Sequence, residues 1–591
     1  MSQIIQSGPR GPQGVQGIQG IQGIQGETGP QGPNYPTRTK ANIAAARNGV
    51  ADGEFFIVGQ FVYKRDDAAI GADSAAADLG EDGVVPGLIV TPFHYGSAGD
   101  GVTDDHGPLS KAIAHGRTTG KILDGQGQTF RIMSKLTEVP GLVAELSIDA
   151  SSVVDSGAWV PIAGAYEAPQ NLTADTRQGK RTFGATAHGY AVGDIVLVQS
   201  NLVFELGTNA QCAHWGRIAA VTADTFTTHE ASLFNLLVAD GATVRRLPKS
   251  ARCRIEKLTM KGGPSCKNGL QALRFTDIEI VSMQAEGFEE RGLLFIENYS
   301  PKLGRYNGIF ADAPGLGYGI GSAGNGWPRY DLVNCIRHRH GLTFGASGVI
   351  PSVGGTFGDV LGTDYLSGAI DTHPATVGVT QTGRTVVQFS DDYASEDGIV
   401  WQGVGGSVFA EISGDISRHT VLLQPSHVDA AFDVPPSYRI EVSGGNAGDK
   451  GVAADLDGCG NIGTVEIVAR VNAVNEPVYV DIGPISVEEI NISGGGISSA
   501  GRGVRIICEA TSDLGYLETK GRWQAALGEC VYLLGQTDAG SRVTEWSFPS
   551  GKASGGTYGV RATNKVAAKI GVPFLSGSTG ETIASGGATI T

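Results

Sequence analysis

The chain has 591 residues, a net charge of −16 and a pI near 5.2, a balance that excludes a general binder of nucleic acids or anionic membranes. Hydrophobic residues make up 41% of it, enough for a large core, yet no apolar run reaches the roughly 18 residues that a membrane-spanning helix needs. Seven widely spaced cysteines without a CxxC pair favour buried free thiols over a disulfide framework or a zinc site. We therefore expect no metal, no cofactor, no nucleic acid and no membrane insertion.

The first segment carries a triplet repeat. Glycine occupies every third position from Gly8 to Gly32, nine times without interruption. Only glycine fits at the crowded axis of a collagen triple helix, so the pattern predicts a collagen-like rod over residues 1–36 and hence a homotrimer. A flexible low-complexity linker is the alternative. The preceding MSQIIQS is too short and lacks the basic residues of a signal peptide.

Residues 37–90 are interpreted as a connector or attachment segment. Within it, EFFIVGQFVYKRDD alternates apolar and polar residues, which predicts a strand or a hairpin.

The stretch FHYGSAGDGVTDD, followed by HGPLSKAIAHG, has the signals of a turn and a short helix. Gly99 and Gly101 permit a tight turn, and Asp104 or Asp105 can cap a helix that begins near Gly107. We interpret the aspartates of this motif as structural rather than as a catalytic acid pair.

This motif resembles the start of the pectate-lyase-like right-handed parallel β-helix that phage tailspikes and tail fibres carry. The resemblance implies an all-β chain, with the first β-helix coils and a short capping helix in residues 91–180. Strands joined by glycine and aspartate turns then predict a small β insertion over residues 181–250.

Residues 251–591 read as the body of the β-helix. Short apolar strands recur every 20–27 residues, a spacing that fits coils of about three strands and predicts roughly 13 coils. An all-β sandwich is the alternative, although the Asn-Gly hairpin signals it needs are sparse.

NCIRHRHG is the strongest candidate for binding an acidic sugar. In a strand, Arg337 and Arg339 would point one way and His338 and His340 the other. One pair would then face solvent as a local cluster of cations. A polar strand stacked on its neighbours is the alternative.

Carboxylates and a histidine follow as candidate catalytic residues. Asp371 and His373 are two residues apart, hence on one face, where the carboxylate can orient the imidazole as an acid or base. Asp391, Asp392 and Glu396 could supply the two carboxylates of a glycosidase, or a calcium site. Structural hydrogen bonding between coils is the alternative for both groups.

Two further patterns concern the same coils. The 27-residue spacing from Asp392 to His419 predicts that these two residues lie one coil apart, while the stretch matches the motifs of polygalacturonase-like hydrolases only poorly. Aromatic rings can pack on the apolar face of a pyranose, and Tyr365, Tyr393 and Trp401 are the candidates for that contact.

The sequence as a whole favours a trimeric virion fibre or tailspike, assembled in the host cytoplasm and acting at the host cell surface. Its N-terminal region would attach to other virion proteins of the tail, baseplate or collar, and its β-helix would contact host polysaccharide. The alternative is an active depolymerase, a glycoside hydrolase or lyase, on the same scaffold. A secreted cellular pectate-lyase-like enzyme is a third hypothesis, against which the collagen-like repeat and the missing signal peptide argue.

Overall fold

The computed structural model describes residues 88–309, 317–389, 395–509 and 511–525 in full, and short strand segments between 55 and 84 and between 531 and 590. The collagen-like repeat and residues Asp391, Asp392 and Tyr393 lie outside the described residues. In the connector, Phe55–Val58 and Phe61–Arg65 pair as the antiparallel hairpin that the alternation predicts, and Gly83–Val84 adds a third strand.

The body is a parallel β-helix of about 15 turns, as predicted, and the sandwich alternative is wrong because its strands pair in parallel with strands one coil away. Two long sheets run along it. The first sheet contains Leu142–Asp149, Cys253–Lys261, Ile278–Glu286, Lys302–Ile309, Arg329–Ile336, Thr356–Thr363, Thr380–Gln381, Thr385–Gln388, Gly406–Leu423, Tyr438–Ala447, Ile462–Ala473, Ser486–Ser498, Asp513–Ala525, Arg542–Ser547, Gly551–Gly555 and Phe574–Gly577.

The second sheet faces the first across the core. It contains Asn268–Leu273, Arg291–Ile296, Tyr318–Ala323, His340–Gly345, Ile370–Thr372, Ser395–Trp401, the end of Gly406–Leu423, Lys450–Asp455, Glu476–Ile482, Val504–Cys508, Val531–Gly535, Tyr558–Thr563 and Gly580–Ser585. A short third side joins the two through single bridges and the pair Ser352–Val353 with Thr376–Val377. Two strands, Ala567–Ala568 and Thr589–Ile590, pair separately near the C-terminus.

The core is built from columns of identical positions in successive coils. In one column of the second sheet, seven successive positions are fully buried β-branched residues, namely Ile370, Ile399, Val421, Val452, Val478, Val504 and Val531. β-branched side chains pack well on a pleated sheet, and coil spacing of about 4.8 Å brings each into contact with the next. The repeat of apolar strands in the sequence is therefore the direct cause of the stacking.

The first coils are closed by a helix. Ile89–Val90, Asp100–Asp104 and Ile122–Arg131 start the β-helix, and the helix His106–Thr119 follows a 3-10 turn at Pro92–Tyr95. Leu109, Ala112 and Ile113 of the helix are buried in the same core as the coils.

The aspartates before this helix have structural roles, as the sequence predicts. Asp105 is buried, and its carboxylate accepts hydrogen bonds from the backbone N–H groups of Ala98 and Gly99 at 2.7 and 3.1 Å. The side chain of Asp104, and not that of Asp105, accepts a hydrogen bond from the first backbone N–H of the helix, that of His106, at 3.2 Å.

A six-stranded antiparallel sheet contains the predicted insertion and begins before its expected start at residue 181. Its spatial order is Gln170–Asn171, Thr243–Leu247, Ile195–Glu205, Ala210–Val221, Thr225–Thr228 and Thr182–Gly184. It has its own core around Trp215 and Phe226, which continues onto the third side of the β-helix at Val353 and Val377. Short 3-10 turns at Val238–Asp240 and Asp429–Ala431 lie beside it. The insertion therefore packs on the β-helix and borders the surface of the second sheet.

Candidate functional site

One edge of the second sheet carries a column of large polar side chains. Arg291, Tyr318 and His340 occupy the same position in three successive coils. The Tyr318 ring stacks on the His340 ring, with centroids 5.4 Å apart and an interplanar angle of 25°. The guanidinium of Arg291 lies 4.8 Å from the centre of the Tyr318 ring, and that of Arg339 lies 5.8 Å from it. Tyr318 is thus contacted by two cations, one from the coil before it and one from the coil after it.

Asp371 lies between two imidazoles. Its Oδ2 is 3.5 Å from Nε2 of His340 and 3.3 Å from Nε2 of His373. The side chain of His340 is 3% exposed and that of Asp371 9%, whereas that of His373 is 47% exposed. The carboxylate is therefore screened from water on the side of His340 and open to a ligand only through His373.

The hydrogen bonds assign the protons of this group. Nδ1 of His340 is 3.0 Å from the carbonyl oxygen of Gly368, which can only accept, so Nδ1 carries a proton. Burial lowers the pKa of His340 to about 4, although the charge of Asp371 acts in the opposite direction. The ring is therefore neutral, and its Nε2 carries no proton. His340 therefore presents no proton to Asp371, and Nε2 of His373, 3.3 Å from Oδ2, is the imidazole nitrogen that can carry one toward the carboxylate. A half-exposed histidine beside a buried carboxylate can accept or donate a proton at the protein surface.

A cleft of about 320 Å³ opens beside His373, between the second sheet and the insertion. Arg291 and His373 line it from the β-helix, and Thr208 lines it from the insertion. Gly321 forms part of the lining: a Cβ there would lie 2.8 Å from both Arg291 and Leu294. A glycine at this position therefore lets those two side chains lie across the cleft.

The Arg-His segment alternates in burial as predicted, with Arg337 and Arg339 exposed and His338 and His340 buried. The segment is a corner between Arg329–Ile336 and His340–Gly345 rather than part of a strand. Nδ1 of His338 donates to the carbonyl of Ile336, and burial lowers the pKa of His338 to about 4. Prediction of His338 as a sugar contact is therefore corrected, because its ring lies inside the protein.

Two of the predicted aromatic contacts are also corrected. Tyr365 is fully buried, and its hydroxyl donates to the carbonyl of Leu361 at 2.7 Å. Trp401 is 2% exposed and ends a row of core rings that includes Phe344 and Phe357. Neither ring offers a face to a glycan, because both side chains point into the β-helix.

The predicted carboxylates are not brought together with Asp371 within the described residues. Glu396 is exposed and accepts a hydrogen bond from Ser367 at 3.4 Å. The residue level with His419 is Asp397, so the coil between them has 22 residues and the expected 27-residue pairing of Asp392 with His419 is wrong.

Asp397 and His419 form a second polar cluster that the sequence reasoning missed. Oδ1 of Asp397 is 2.8 Å from Nδ1 of His419, and Arg418 is 3.6 Å from the other carboxylate oxygen. Nε2 of His419 faces Asp449 of the following coil at 3.6 Å. A signal for this cluster exists in the sequence, because EDG, RHT and GDK each mark the start of a strand of the second sheet.

Within the described ranges, no group of three or more histidine, cysteine, aspartate or glutamate side chains is placed to hold a metal ion. No helix among the same residues is long and apolar enough to cross a membrane. The six cysteines they contain are all buried and unpaired.

Comparison with known proteins identifies the fold. No protein-family model and no curated protein matches the chain. Among solved structures, the tailspike protein gp49 from Pseudomonas phage LKA1 is similar at 14% identity and a TM-score of 0.53, over 77% of this chain and 82% of that one. The Gp54 tailspike of Acinetobacter baumannii bacteriophage AP22 is similar at 14% identity and a TM-score of 0.48, over 86% of this chain and 82% of that one. At such low identity the likeness extends to the fold alone: the chain has the parallel β-helix fold of a phage tailspike.

Proposed function

We propose that this chain is a phage tailspike or fibre protein that binds an acidic polysaccharide of the host cell surface through the second sheet. The observation that carries the proposal is the contact of Tyr318 with Arg291 and Arg339 beside the Asp371–His373 pair. The β-helix fold shared with a tailspike supports it. In the same proposal three chains assemble through the collagen-like repeat, and the N-terminal region attaches to the virion.

The choice of an acidic glycan rests on charge. The chain carries −16 overall, so an exposed cation on its surface is normally offset by nearby carboxylates. Arg339 is exposed, and its guanidinium forms no ion pair within the described part of the chain. A guanidinium held against a ring keeps N–H donors that fit a carboxylate or phosphate of a sugar.

Glycan binding tests this proposal directly. The full-length protein is applied to an array of bacterial surface oligosaccharides, and the R339Q variant is compared with wild type. We expect wild type to bind acidic members of the array and R339Q to bind them at least tenfold more weakly, since a charge-assisted hydrogen bond contributes about 1.5–3 kcal/mol. Arg252, which is exposed and paired with Glu279 on the first sheet, provides the matched control R252Q. Binding confined to neutral glycans, or equal binding by R339Q and R252Q, would contradict the proposal.

A second candidate function, cleavage of the bound polysaccharide, is favoured by the position of His373. Its imidazole lies 3.3 Å from the buried Asp371 carboxylate and lines the cleft, where it can exchange a proton with a bound glycan. Incubation of a bound polysaccharide with the protein, followed by analysis of chain ends, tests this. New reducing ends without unsaturation indicate hydrolysis, unsaturated ends indicate elimination, and an unchanged polymer restricts the protein to binding.

A further inference from the structure

A second cleft, of about 510 Å³, lies on the first sheet, on a different side of the β-helix from His373. Its outward-facing residues form a grid of two columns over three coils. The first column contains Phe409, Glu441 and Val468, and the second contains Glu411, Ser443 and Arg470. Each residue of one column is two positions from its partner in the other, so all six face the same side.

The composition of this grid suits a sugar chain. A pyranose has an apolar ring face and a rim of hydroxyl groups, and the grid supplies apolar surface at Phe409 and Val468 beside hydrogen-bond acceptors at Glu411 and Glu441. The coil spacing of about 4.8 Å gives the three coils a length of roughly 10 Å between their first and last members. The volume falls in the range of about 300–1,000 Å³ that ligand sites occupy.

Two arginines on the border of the grid lie close to its two glutamate side chains. Nη1 of Arg384 lies 3.5 Å from the Glu411 carboxylate. The guanidinium of Arg439 donates to Glu466 at 3.0 Å, lies 3.7 Å from Glu441, and is 5.8 Å from the centre of the Phe409 ring. Arg470 is exposed and has no ion pair in the ranges that the structure describes. The cleft thus has acceptors for hydroxyl groups along its middle and one uncompensated cation at the end nearer the C-terminus.

From this arrangement we propose that the first-sheet cleft is a second polysaccharide-binding site. It binds a segment of sugar chain that runs along the β-helix axis. Hydroxyl groups of the sugar donate hydrogen bonds to Glu411 and Glu441, and an anionic substituent of the sugar binds Arg470. The inference rests on the proposed function, since both sites bind the same class of polymer. One chain can then hold two strands of surface glycan, on two sides of the β-helix and at different coils.

Binding stoichiometry tests the inference. The probe is the surface polysaccharide of a strain that adsorbs the virion, cut to fragments of a few sugars and titrated calorimetrically into the full-length protein. We expect two sites per chain for wild type and one for R470Q and F409A, while R339Q loses the other site. R522Q is the matched control, because Arg522 is an exposed arginine two coils further along the column of Arg470 and outside the cleft.

Each result has a distinct meaning. Thermal melting of R470Q and R522Q checks that these variants fold, which is expected because both arginines are exposed. The test therefore does not depend on F409A. If wild type has only one site per chain, and R470Q and F409A bind at that site as wild type does, the second site is overturned and the proposed function is left intact. Absence of binding to every surface polysaccharide of an adsorbing strain overturns both.

Discussion

Asp397 and His419 lie level with each other in neighbouring coils, with Oδ1 of the aspartate 2.8 Å from Nδ1 of the histidine. Both side chains are almost fully buried. Replacing Asp397 with alanine removes the acceptor for the imidazole and for the backbone N–H of His419, and an unsatisfied buried donor costs about 1–3 kcal/mol. We expect D397A to lower the free energy of unfolding by about 2 kcal/mol or more in denaturant titration. Removal of the exposed Asp415, as D415A, should cost less than about 0.5 kcal/mol, and equal losses would contradict a structural role for the buried pair.

A second prediction concerns Asp371 and the rate of polysaccharide cleavage. Because the Asp371 carboxylate lies 3.3 Å from Nε2 of His373 and its charge stabilises a protonated imidazole, D371N should lower kcat at least about 100-fold while KM changes little. Product formation at a series of substrate concentrations separates the two parameters. D331N, an exposed substitution on the first sheet, is the control. If a cleaving wild type and D371N have the same kcat, the assignment of His373 as the acid or base is wrong.

Buried histidines make stability depend on pH, and His338 and His340 are two of them. Burial lowers the pKa values of His338 and His340 to about 4 in the folded protein, against 6.5 in the unfolded chain. The unfolded state therefore binds more protons between these values, so stability is full above pH 6.5 and is lost as the pH falls toward 4. We expect the free energy of unfolding to fall by on the order of 2–3 kcal/mol per histidine over this interval. Denaturant titration at pH 7, 5.5 and 4 checks it: H338Q should flatten the dependence, while the surface variant H373Q should change it less.

Close backbone contacts restrict two glycines of the first sheet. Gly494 and Gly521 occupy the same position in consecutive coils with φ of 120° and 122°, and a Cβ on either would lie 2.0 Å from a carbonyl oxygen of the preceding coil. G494A should therefore lower the thermal midpoint by many degrees or abolish folding, because no side chain can move to make room. G107A is the control, since a Cβ on this helical residue meets nothing within 4 Å. A stable G494A protein would show that the coils can separate locally.

The oligomeric state tests the proposed trimer. We expect the full-length protein to have three times the 61.2 kDa mass of one chain by light scattering and native mass spectrometry. A chain that begins at residue 37 isolates the contribution of the collagen-like repeat. A monomeric full-length protein would contradict the stoichiometry that the glycine repeat predicts.

The sequence predicted those features that depend on local pattern. The spacing of apolar strands predicted the β-helix. The alternation of side-chain direction predicted that His340 is buried while its neighbour Arg339 is exposed. Side-chain direction at the corners could not be read from the pattern, because Tyr365 lies just after a strand and turns inward where alternation no longer applies.

Contacts between coils were harder to predict because the coils differ in length. A uniform 27-residue period pairs His419 with Asp392, but the coil that ends at His419 has 22 residues and pairs it with Asp397. The next coil is longer, so Asp449 meets His419 from 30 residues away and no single period connects the three. A small error in coil length moves a predicted contact to a different face.

The helix His106–Thr119 at the start of the β-helix has a consequence for assembly. A parallel β-helix ends in a strand whose backbone groups could pair with another copy, and repeated end-to-end pairing would give filaments of indefinite length. Leu109, Ala112 and Ile113 pack on the core of the first coil and cover that end. The helix therefore blocks end-to-end pairing of strands at this end of the β-helix.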